Sequence, residues 1–258
     1  MSKKYWEIRA AKNKTGELLI YGDIASSAIW NDEITPKTID AELKALGELD
    51  VLNVYINSGG GSCFAGMAIY NIIKRHKATT KNAYVDGLAA SISSVIPMAC
   101  DKVYMPSNAM MMVHPPSMYM GGNSADFRKG ADTLDKVRES ILTVYREKTG
   151  MTDEELIPIL DAETWMTAAE AIKMGFADEL QAEVKITAAI DGGFLMFGNV
   201  KVDTANFKNF KPETIETYRG SEKTEPVVDK PKEEPEKPDL SAQTAEFTKL
   251  RLKILGGQ

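Results

Sequence analysis

The sequence contains little cysteine and little histidine. The only two cysteines, Cys63 and Cys100, do not form a C-x-x-C spacing, so neither a zinc knuckle nor a disulfide framework is indicated. A reducing compartment, the cytoplasm, is therefore the expected location. The only two histidines, His76 and His114, leave few candidates for an imidazole base.

A strong charge bias and long hydrophobic runs are also missing. The 31 Lys and Arg residues against 37 Asp and Glu residues give a net charge of −6, which does not favour nucleic acid or anionic lipid as a partner. No stretch approaches the roughly 18 uncharged apolar residues of a membrane-spanning helix. Residues 1–7 become polar again before any apolar stretch long enough for a signal peptide. We therefore expect neither a membrane segment nor secretion.

The remaining composition is typical of a globular protein. Of 258 residues, 43% are hydrophobic and 26% charged, which fits one large or two small domains. Residues 220–239 hold 11 charged residues and four prolines, a composition that predicts a disordered linker. Residues 240–258 then predict a short helical tail, either a docking peptide or a frayed end. Before the linker, residues 184–202 predict a hairpin around an Asp-Gly-Gly turn.

Strand-like and helix-like segments alternate in the first 180 residues. Glu17–Tyr21 and Leu52–Ile56 read as strands, and Pro36–Glu48 and Phe64–Arg75 as helices, which predicts an α/β fold. The longest predicted helix is 125–149. It starts after Asn123 or Ser124 as a cap, ends at Gly150 and carries an apolar stripe: Phe127, Ala131, Leu134, Val137, Ile141 and Val144.

A glycine turn follows the second of these strands. Asn57-Ser58-Gly59-Gly60-Gly61-Ser62 places three glycines between a strand and a helix, where main-chain N–H groups can approach a phosphate or an oxyanion. The segment lacks the Gly-Lys-Ser/Thr ending of a P-loop and the spacing of a dinucleotide fingerprint. A tight structural turn is the alternative interpretation.

A serine lies at a second turn between a strand and a helix. In Tyr84–Ser94 the strand passes through small residues into Ser91, where an exposed hydroxyl and nearby N–H groups could serve nucleophilic catalysis. The segment is not the G-x-S-x-G elbow of the α/β-hydrolases, because Ala90 and Ile92 flank the serine. Close helix packing also explains such a run of small residues.

A base and a carboxylate are needed to activate such a serine. His114 ends an apolar strand before two prolines and is the better base, whereas His76 lies among cations on a solvated face. A hydrogen-bonded strand-end histidine is the alternative role for His114. Asp161 and Glu163 are the candidate carboxylates, because Glu170 pairs with Thr167 as a capping box.

Four short segments follow one another along the chain: Asn57-Ser58-Gly59-Gly60-Gly61 with Ala65-Gly66-Met67, Gly87-Leu88-Ala89-Ala90-Ser91, Met112-Val113-His114, and Thr167-Ala168-Ala169-Glu170-Ala171 with Gly175. Together and in this order, they resemble the proteolytic subunit of Clp protease. The resemblance extends over about residues 15–181. The segments Asp86–Ser91 and Glu163–Met166, and an extension after residue 183, look most like the Clp-related head maturation proteases of tailed bacteriophages. The resemblance implies the spiral ββα superhelix of the ClpP and crotonase type with a long handle helix, over 1–183, then a hairpin extension over 184–219.

The resemblance also implies roles for individual residues. Ser91 becomes the nucleophile, His114 the base and Glu163, or else Asp161, the third member, since the family's aspartate aligns with Glu163. The oxyanion hole falls to the N–H groups of Gly61 and Ile92, with Gly60 as an alternative donor. Glycine at position 59, where the family has proline, is a second departure. The segment Gly121-Gly122-Asn123, which leads into the handle helix, resembles the family's substrate-pairing strand, where an extended substrate would add a β-strand.

The implied function is a serine endopeptidase inside an oligomeric chamber of stacked rings. Capsid or scaffold chains are the expected substrates and a Clp-type ATPase is an additional partner, and no cofactor or metal is implied. A weakened homologue acting as a capsid assembly or scaffolding protein is the alternative, motivated by Glu163 and Gly59. A crotonase-type acyl-CoA enzyme is a third hypothesis, which the pair of Ser91 and His114 disfavours.

Overall fold

Strands and helices alternate along the part of the chain that the structure, a computed structural model, describes: residues 8–11, 14–27, 34–181, 188–191, 194–197 and 200–203. All of these belong to the first of two contact units, Met1–Arg219, and the second begins at Gly220. The predicted linker 220–239 and tail 240–258 lie outside the described residues.

The described elements are as follows. One sheet contains β1 (Ile8–Ala11), β2 (Thr15–Tyr21), β3 (Val51–Ser58), β4 (Thr80–Ala90), β5 (Lys102–Pro106), β6 (Met110–Val113), β7 (Thr164–Thr167) and β8 (Glu179–Gln181). The helices are α1 (Pro36–Leu46), α2 (Cys63–Lys74), α3 (Ser124–Thr149), α4 (Asp153–Asp161) and α5 (Ala168–Lys173). A second sheet contains β9 (Ala188–Asp191), β10 (Phe194–Phe197) and β11 (Val200–Asp203).

The main sheet forks at β4. Its path runs β1-β2-β3-β4-β5-β8, with β2 to β5 and β8 parallel and β1 antiparallel to β2. The first half of β4 pairs with β5, whereas its last residues, Leu88–Ala90, pair with β6. β6 in turn pairs antiparallel with β7. The fork therefore brings the ends of β4 and β6 and the start of β7 together.

The predicted strands and helices of the first 75 residues are confirmed. Residues on β2 alternate between buried and half-buried, as expected of a strand with one face on the core. Thr35 caps α1, whose first residue is Pro36, and Gly47 ends it at φ +71°. Ser62 caps α2 through a bond from the Ala65 N–H. The hydroxyls of Thr35 and Ser62 thus satisfy N–H groups that the first turn leaves open.

The longest helix is confirmed, but its apolar stripe is only partly buried. Asn123 and Asp126 form a reciprocal capping box at the start of α3, and Gly150 ends it at φ +74°. Ile141 and Val144 are buried in the core, whereas Phe127 at the other end is 53% exposed. The described chain therefore covers the second half of the stripe and leaves the first half uncovered.

Two segments differ from a simple reading of the sequence. After Ser91 the chain forms two short 3-10 turns, Ser91–Ser94 and Ile96–Ala99, where a single helix was expected. Pro97 contributes to this break, because it has no N–H to continue a helical ladder. Residues 115–123 form neither helix nor strand.

The expected hairpin pairs β9 with β10, and β11 adds a third strand.

The hydrophobic core lies between the sheet and the helices. Leu18, Ile56, Ile69 and Val85 are fully buried there, and burial of a side chain of this size contributes about 1.5–3 kcal/mol. Searched over the described residues, the helices include none with the length and apolar character needed to cross a bilayer.

Candidate active site

Ser91 lies at the turn where β4 ends. Its φ of +56° is left-handed, a conformation that costs a residue with a β-carbon about 1–3 kcal/mol unless the surroundings impose it. Just before the glycine turn the register of β3 against β4 shifts between Ile56 and Ser58, and Asn57 Oδ1 accepts the Leu88 N–H at 3.2 Å. The turn directs Ser91 Oγ to His114 Nε2 at 2.7 Å. The structure thus brings together the serine and the histidine that the sequence singled out.

The two histidines occupy different environments. His114 follows β6 directly and is partly buried beside Ser91. His76 follows α2, and its Nδ1 accepts the Ala78 N–H at 3.1 Å. Burial, aided by the Lys81 charge, lowers the pKa of His76. His76 therefore serves its own turn, away from the pair formed by Ser91 and His114.

The two candidate carboxylates also differ. Asp161 has a 51% exposed side chain that pairs with Arg138 of α3 at 2.7 Å. Glu163 is 6% exposed and has φ +48°. β6 and β7 pair antiparallel with Val113 opposite Thr164, and continuing that register by one residue places Glu163 opposite His114. Backbone register and burial therefore both favour Glu163.

The glycine turn lies directly against the serine. A β-carbon on Gly60 would lie 2.7 Å from Ser91 Cβ, and one on Gly61 would lie 2.2 Å from Ile24 O. Both glycines have positive φ, +102° and +138°. The close approach and the left-handed backbone therefore both require glycine at these positions.

The amides of the turn have different acceptors. Gly60 N–H donates to Ser58 Oγ at 3.1 Å, so the alternative oxyanion donor is already engaged. Ile24 bonds through its N–H to Gly60 O and through its C=O to Ser62 N–H, as in parallel pairing. In that pattern the intervening Gly61 N–H points away from Ile24. Gly61 is therefore the better donor of the two.

The amide of Ile92 opens the 3-10 turn after the serine. N–H groups in a first turn have no acceptor within it. Gly66 of α2 packs directly on the Ile92 side chain, because a β-carbon there would lie 2.3 Å from Ile92 Cγ1. Helix α2 therefore fixes the residue that carries this amide.

A network of hydroxyls that sequence analysis did not single out surrounds the serine. Ser93 Oγ lies 2.7 Å from Ala90 O and 2.8 Å from Ser58 O, which joins the two turns. Ser94 Oγ donates to Ser91 O and lies 2.7 Å from the hydroxyl of Tyr145 on α3. The only sequence signal was the pair Ser93 and Ser94, which follows Ser91 and Ile92, and nothing in the sequence connected this pair to α3.

An acid lies five residues before the serine on β4. Asp86 accepts a hydrogen bond from the Tyr21 hydroxyl and is 8% exposed. Burial raises the pKa of Asp86. Burial and the same bond also raise the pKa of Tyr21, so its hydroxyl remains the donor. Beside them Tyr55, Tyr84 and Tyr104 stack with ring centroids 5.0 Å apart.

The surroundings of the pair are narrow and partly open. A cavity of about 10 Å³ lies beside Ser91 and His114, with Cys63 and Tyr145 in its wall. The exposed segment Gly121-Gly122-Asn123 leads into α3, where Asn123 is the helix cap. Within the described ranges no three His, Cys, Asp or Glu side chains come together as a metal site requires.

Comparison with known proteins gives a consistent picture. The sequence model of the family described as Clp protease matches residues 12–184. ATP-dependent Clp protease proteolytic subunit 3 of Streptomyces coelicolor is 33% identical over 154 residues, 58% of this chain and 70% of that protein. Subunit 2 of Thermobifida fusca is 35% identical over 155 residues, 58% and 75% of the two chains. A solved mutant of ClpP1 from Listeria monocytogenes superimposes with a TM-score of 0.57 at 26% identity, covering 66% of this chain and 92% of that one.

Proposed function

This chain belongs to the Clp protease family of serine-type endopeptidases and has its fold, and we propose that Ser91 is its nucleophile and His114 its general base. One observation carries the proposal. Ser91 Oγ lies 2.7 Å from His114 Nε2, within the range for proton transfer, at a left-handed turn where the serine is partly buried.

Glu163 is the proposed third member. Two observations support this proposal: the β6 and β7 register, extended by one residue beyond Val113 and Thr164, puts Glu163 opposite His114, and its burial suits a group that orients an imidazole and stabilises its cation. Asp161 is the weaker candidate because its carboxylate is exposed and paired with Arg138.

The proposed mechanism is acyl transfer. Ser91 Oγ attacks the peptide carbonyl while His114 accepts the hydroxyl proton. The Gly61 and Ile92 N–H groups stabilise the oxyanion of the tetrahedral intermediate. His114 then gives the proton to the leaving amine, and water, activated by His114, releases the acyl group and regenerates Ser91.

An extended substrate is proposed to pair with Gly121-Gly122-Asn123. This segment is exposed, lies outside the described sheet and follows His114 within a few residues. The Asn123 N–H already donates to Asp126 and its carbonyl accepts from Phe127, so strand pairing is proposed to use the main-chain groups of Gly121 and Gly122. Gly121→Pro removes an N–H and should raise KM about tenfold, a loss of about one hydrogen bond's net contribution. Gly121→Ala is the matched control, because its β-carbon meets nothing within 4 Å. Equal KM values for the two variants would contradict strand pairing here.

A homo-oligomer of stacked rings is proposed as the working form. The uncovered half of the α3 stripe includes Phe127 at 53% exposure, and Tyr119, in the segment before α3, is 99% exposed; these apolar side chains suit burial against a second copy. Phe127→Ser should weaken assembly in mass photometry, and Thr133→Ser on the same helix serves as the control. The relatives are named as parts of ATP-dependent Clp proteases, so a Clp-type ATPase in the cytoplasm is a further proposed partner.

The biological role is proposed to be prohead maturation in a tailed bacteriophage, with capsid or scaffold chains as substrates. The sequences of Asp86–Ser91 and Glu163–Met166, and the extension after residue 183, support this role. Cleavage of a capsid or scaffold chain encoded beside the gene would test it directly.

The chemistry is tested by labelling with a fluorophosphonate, intact-mass measurement and peptide mapping. We expect one adduct on Ser91 that disappears in Ser91→Ala and persists in Ser140→Ala, a serine on the exposed side of α3. Undiminished peptide hydrolysis by Ser91→Ala would refute the assignment. An assembled oligomer that takes no label would favour the scaffolding alternative.

A further inference from the structure

Two hydroxyl groups link the backbone of Ser91 to helix α3. Ser94 Oγ lies 2.5 Å from Ser91 O and 2.7 Å from Tyr145 Oη. A carbonyl oxygen only accepts, so Ser94 gives its single proton to Ser91 O. The Tyr145 hydroxyl must then donate to Ser94 Oγ. Tyr145 therefore donates to Ser94, and Ser94 donates to the carbonyl of Ser91.

Both hydroxyls are held rigidly. Ser94 is fully buried and Tyr145 is 2% exposed, on the part of α3 that packs on the core. The Tyr145 ring packs edge-to-face on Phe176 at 5.3 Å between centroids. Burial raises the pKa of Tyr145, so its hydroxyl keeps its proton and remains a donor near neutral pH.

This series of hydrogen bonds ends on the peptide unit between Ser91 and Ile92. The carbonyl of Ser91 and the N–H of Ile92 belong to the same planar group and point in opposite directions. Fixing Ser91 O on one side therefore orients the Ile92 N–H on the other side. A hydrogen bond to the carbonyl also polarises the amide and strengthens its N–H as a donor.

We propose that Tyr145 and Ser94 are positioning residues that orient and polarise the peptide between Ser91 and Ile92. They hold Ser91 in its left-handed conformation and direct the Ile92 N–H at the oxyanion. The inference rests on the proposed function, and it adds two residues that touch neither substrate nor reacting atoms.

The expected effect is on the transition state. The oxyanion forms only after attack, so a weaker donor lowers kcat and leaves KM unchanged. Removing an oxyanion donor outright lowers kcat about 100- to 1,000-fold, so misaligning one is expected to lower it about 10- to 100-fold. Because the two hydroxyls act in series, Tyr145→Phe combined with Ser94→Ala should be no worse than Ser94→Ala alone.

The test compares Tyr145→Phe, Ser94→Ala and the double variant in the full-length assembled protein. Tyr70→Phe is the matched control, since it also removes one tyrosine hydroxyl from a core-packed helix, but that hydroxyl interacts with Lys74 and Glu147 and not with the Ser91 turn. The readouts are kcat, KM and the affinity of a peptide boronate, whose adduct with serine mimics the tetrahedral intermediate. A structural role alone would not make boronate affinity fall in parallel with kcat.

Three results would overturn the proposal: Tyr145→Phe as active as Tyr70→Phe, a loss confined to KM, or losses that multiply in the double variant. Should Tyr145→Phe fail to fold in thermal unfolding, Ser94→Ala decides alone. Ser91→Ala distinguishes a failure of the proposed function from a failure of this inference. If Ser91→Ala retains turnover, the proposed function fails. If Ser91→Ala is inactive while Tyr145→Phe and Ser94→Ala match wild type, only the inference about Tyr145 and Ser94 fails.

Discussion

Gly60→Ala tests how closely the glycine turn constrains the nucleophile. The new β-carbon would lie 2.7 Å from Ser91 Cβ, 2.8 Å from Ala90 O and 3.2 Å from Ser91 Oγ, against about 3.5–4.0 Å for an unstrained carbon contact. Relief requires Ser91 to move by close to 1 Å. A displacement of that size near reacting groups lowers the rate about 100-fold, or about 2.7 kcal/mol in activation free energy.

Backbone strain must be separated from this displacement. Gly60 has φ +102° and Gly47, which ends α1, has φ +71° with nothing within 4 Å of an added β-carbon. Gly47→Ala therefore meets no steric clash and bears only the backbone penalty of its glycine-type conformation, φ +71° and ψ −143°, which is about 1–3 kcal/mol in stability. Its unfolding midpoint should fall about 2–4 °C for each kcal/mol.

The assay is peptide hydrolysis together with thermal unfolding of both variants. We expect Gly47→Ala to keep its kcat/KM and Gly60→Ala to lose it about 100-fold while remaining folded at the assay temperature. If Gly60→Ala hydrolyses peptide within about threefold of Gly47→Ala, the turn does not constrain Ser91 and the reasoning is refuted.

Two further predictions concern the site and its surroundings. Glu163→Gln keeps the shape of the side chain but removes its charge, and kcat should fall about 100- to 10,000-fold. Asp161→Asn should stay within about threefold of the wild-type kcat because the ion pair of Asp161 is exposed. The reverse order would make Asp161 the third member of the triad. The raised pKa of Asp86 means that the folded chain binds this proton more tightly than the unfolded chain, so its contribution to stability is full below the ordinary pKa of about 3.9 and is lost as pH rises through the raised value. Asp86→Asn should therefore melt higher than wild type near pH 7, with the difference shrinking toward pH 4, and a pH-independent difference would show that burial is not the cause.

The sequence predicted much of the fold because local chemistry and packing agree. At α3 a capping residue, a complementary acid, an apolar period and a terminal glycine all indicate one helix, and the structure has it within one residue of the predicted start. The 3-10 turns after Ser91 were harder. Their small residues suit a helix, and only the proline and the tertiary contacts of Ser93 and Ser94 break it.

Candidate site residues could be predicted where the residue type is scarce in the chain, and could not be predicted where the type is common. Two histidines in the whole chain made His114 an easy choice, and its partner Ser91 lay at a recognisable turn. The residue pattern alone offered no ground for preferring Asp161 or Glu163; the burial of Glu163 and the register of β6 and β7 now favour Glu163, and no local pattern specifies that register. The link from Ser94 to Tyr145 joins residues 51 apart in the chain, and both residue types are frequent in structural roles.

The apolar stripe on α3 shows the opposite case, in which the sequence pattern exceeds what the described chain buries. A helix with all its partners within its own fold needs apolar residues only along the buried part, here around Ile141 and Val144. The same period continues to Phe127, where the side chain is mostly exposed and Tyr119 and Met120 add further apolar surface. Leaving such side chains in water forfeits about 25 cal/mol for each Å² of apolar area that a partner would cover. The period is therefore best explained by a surface outside this part of the chain, and a second copy is the simplest source, because it supplies the same stripe for mutual burial.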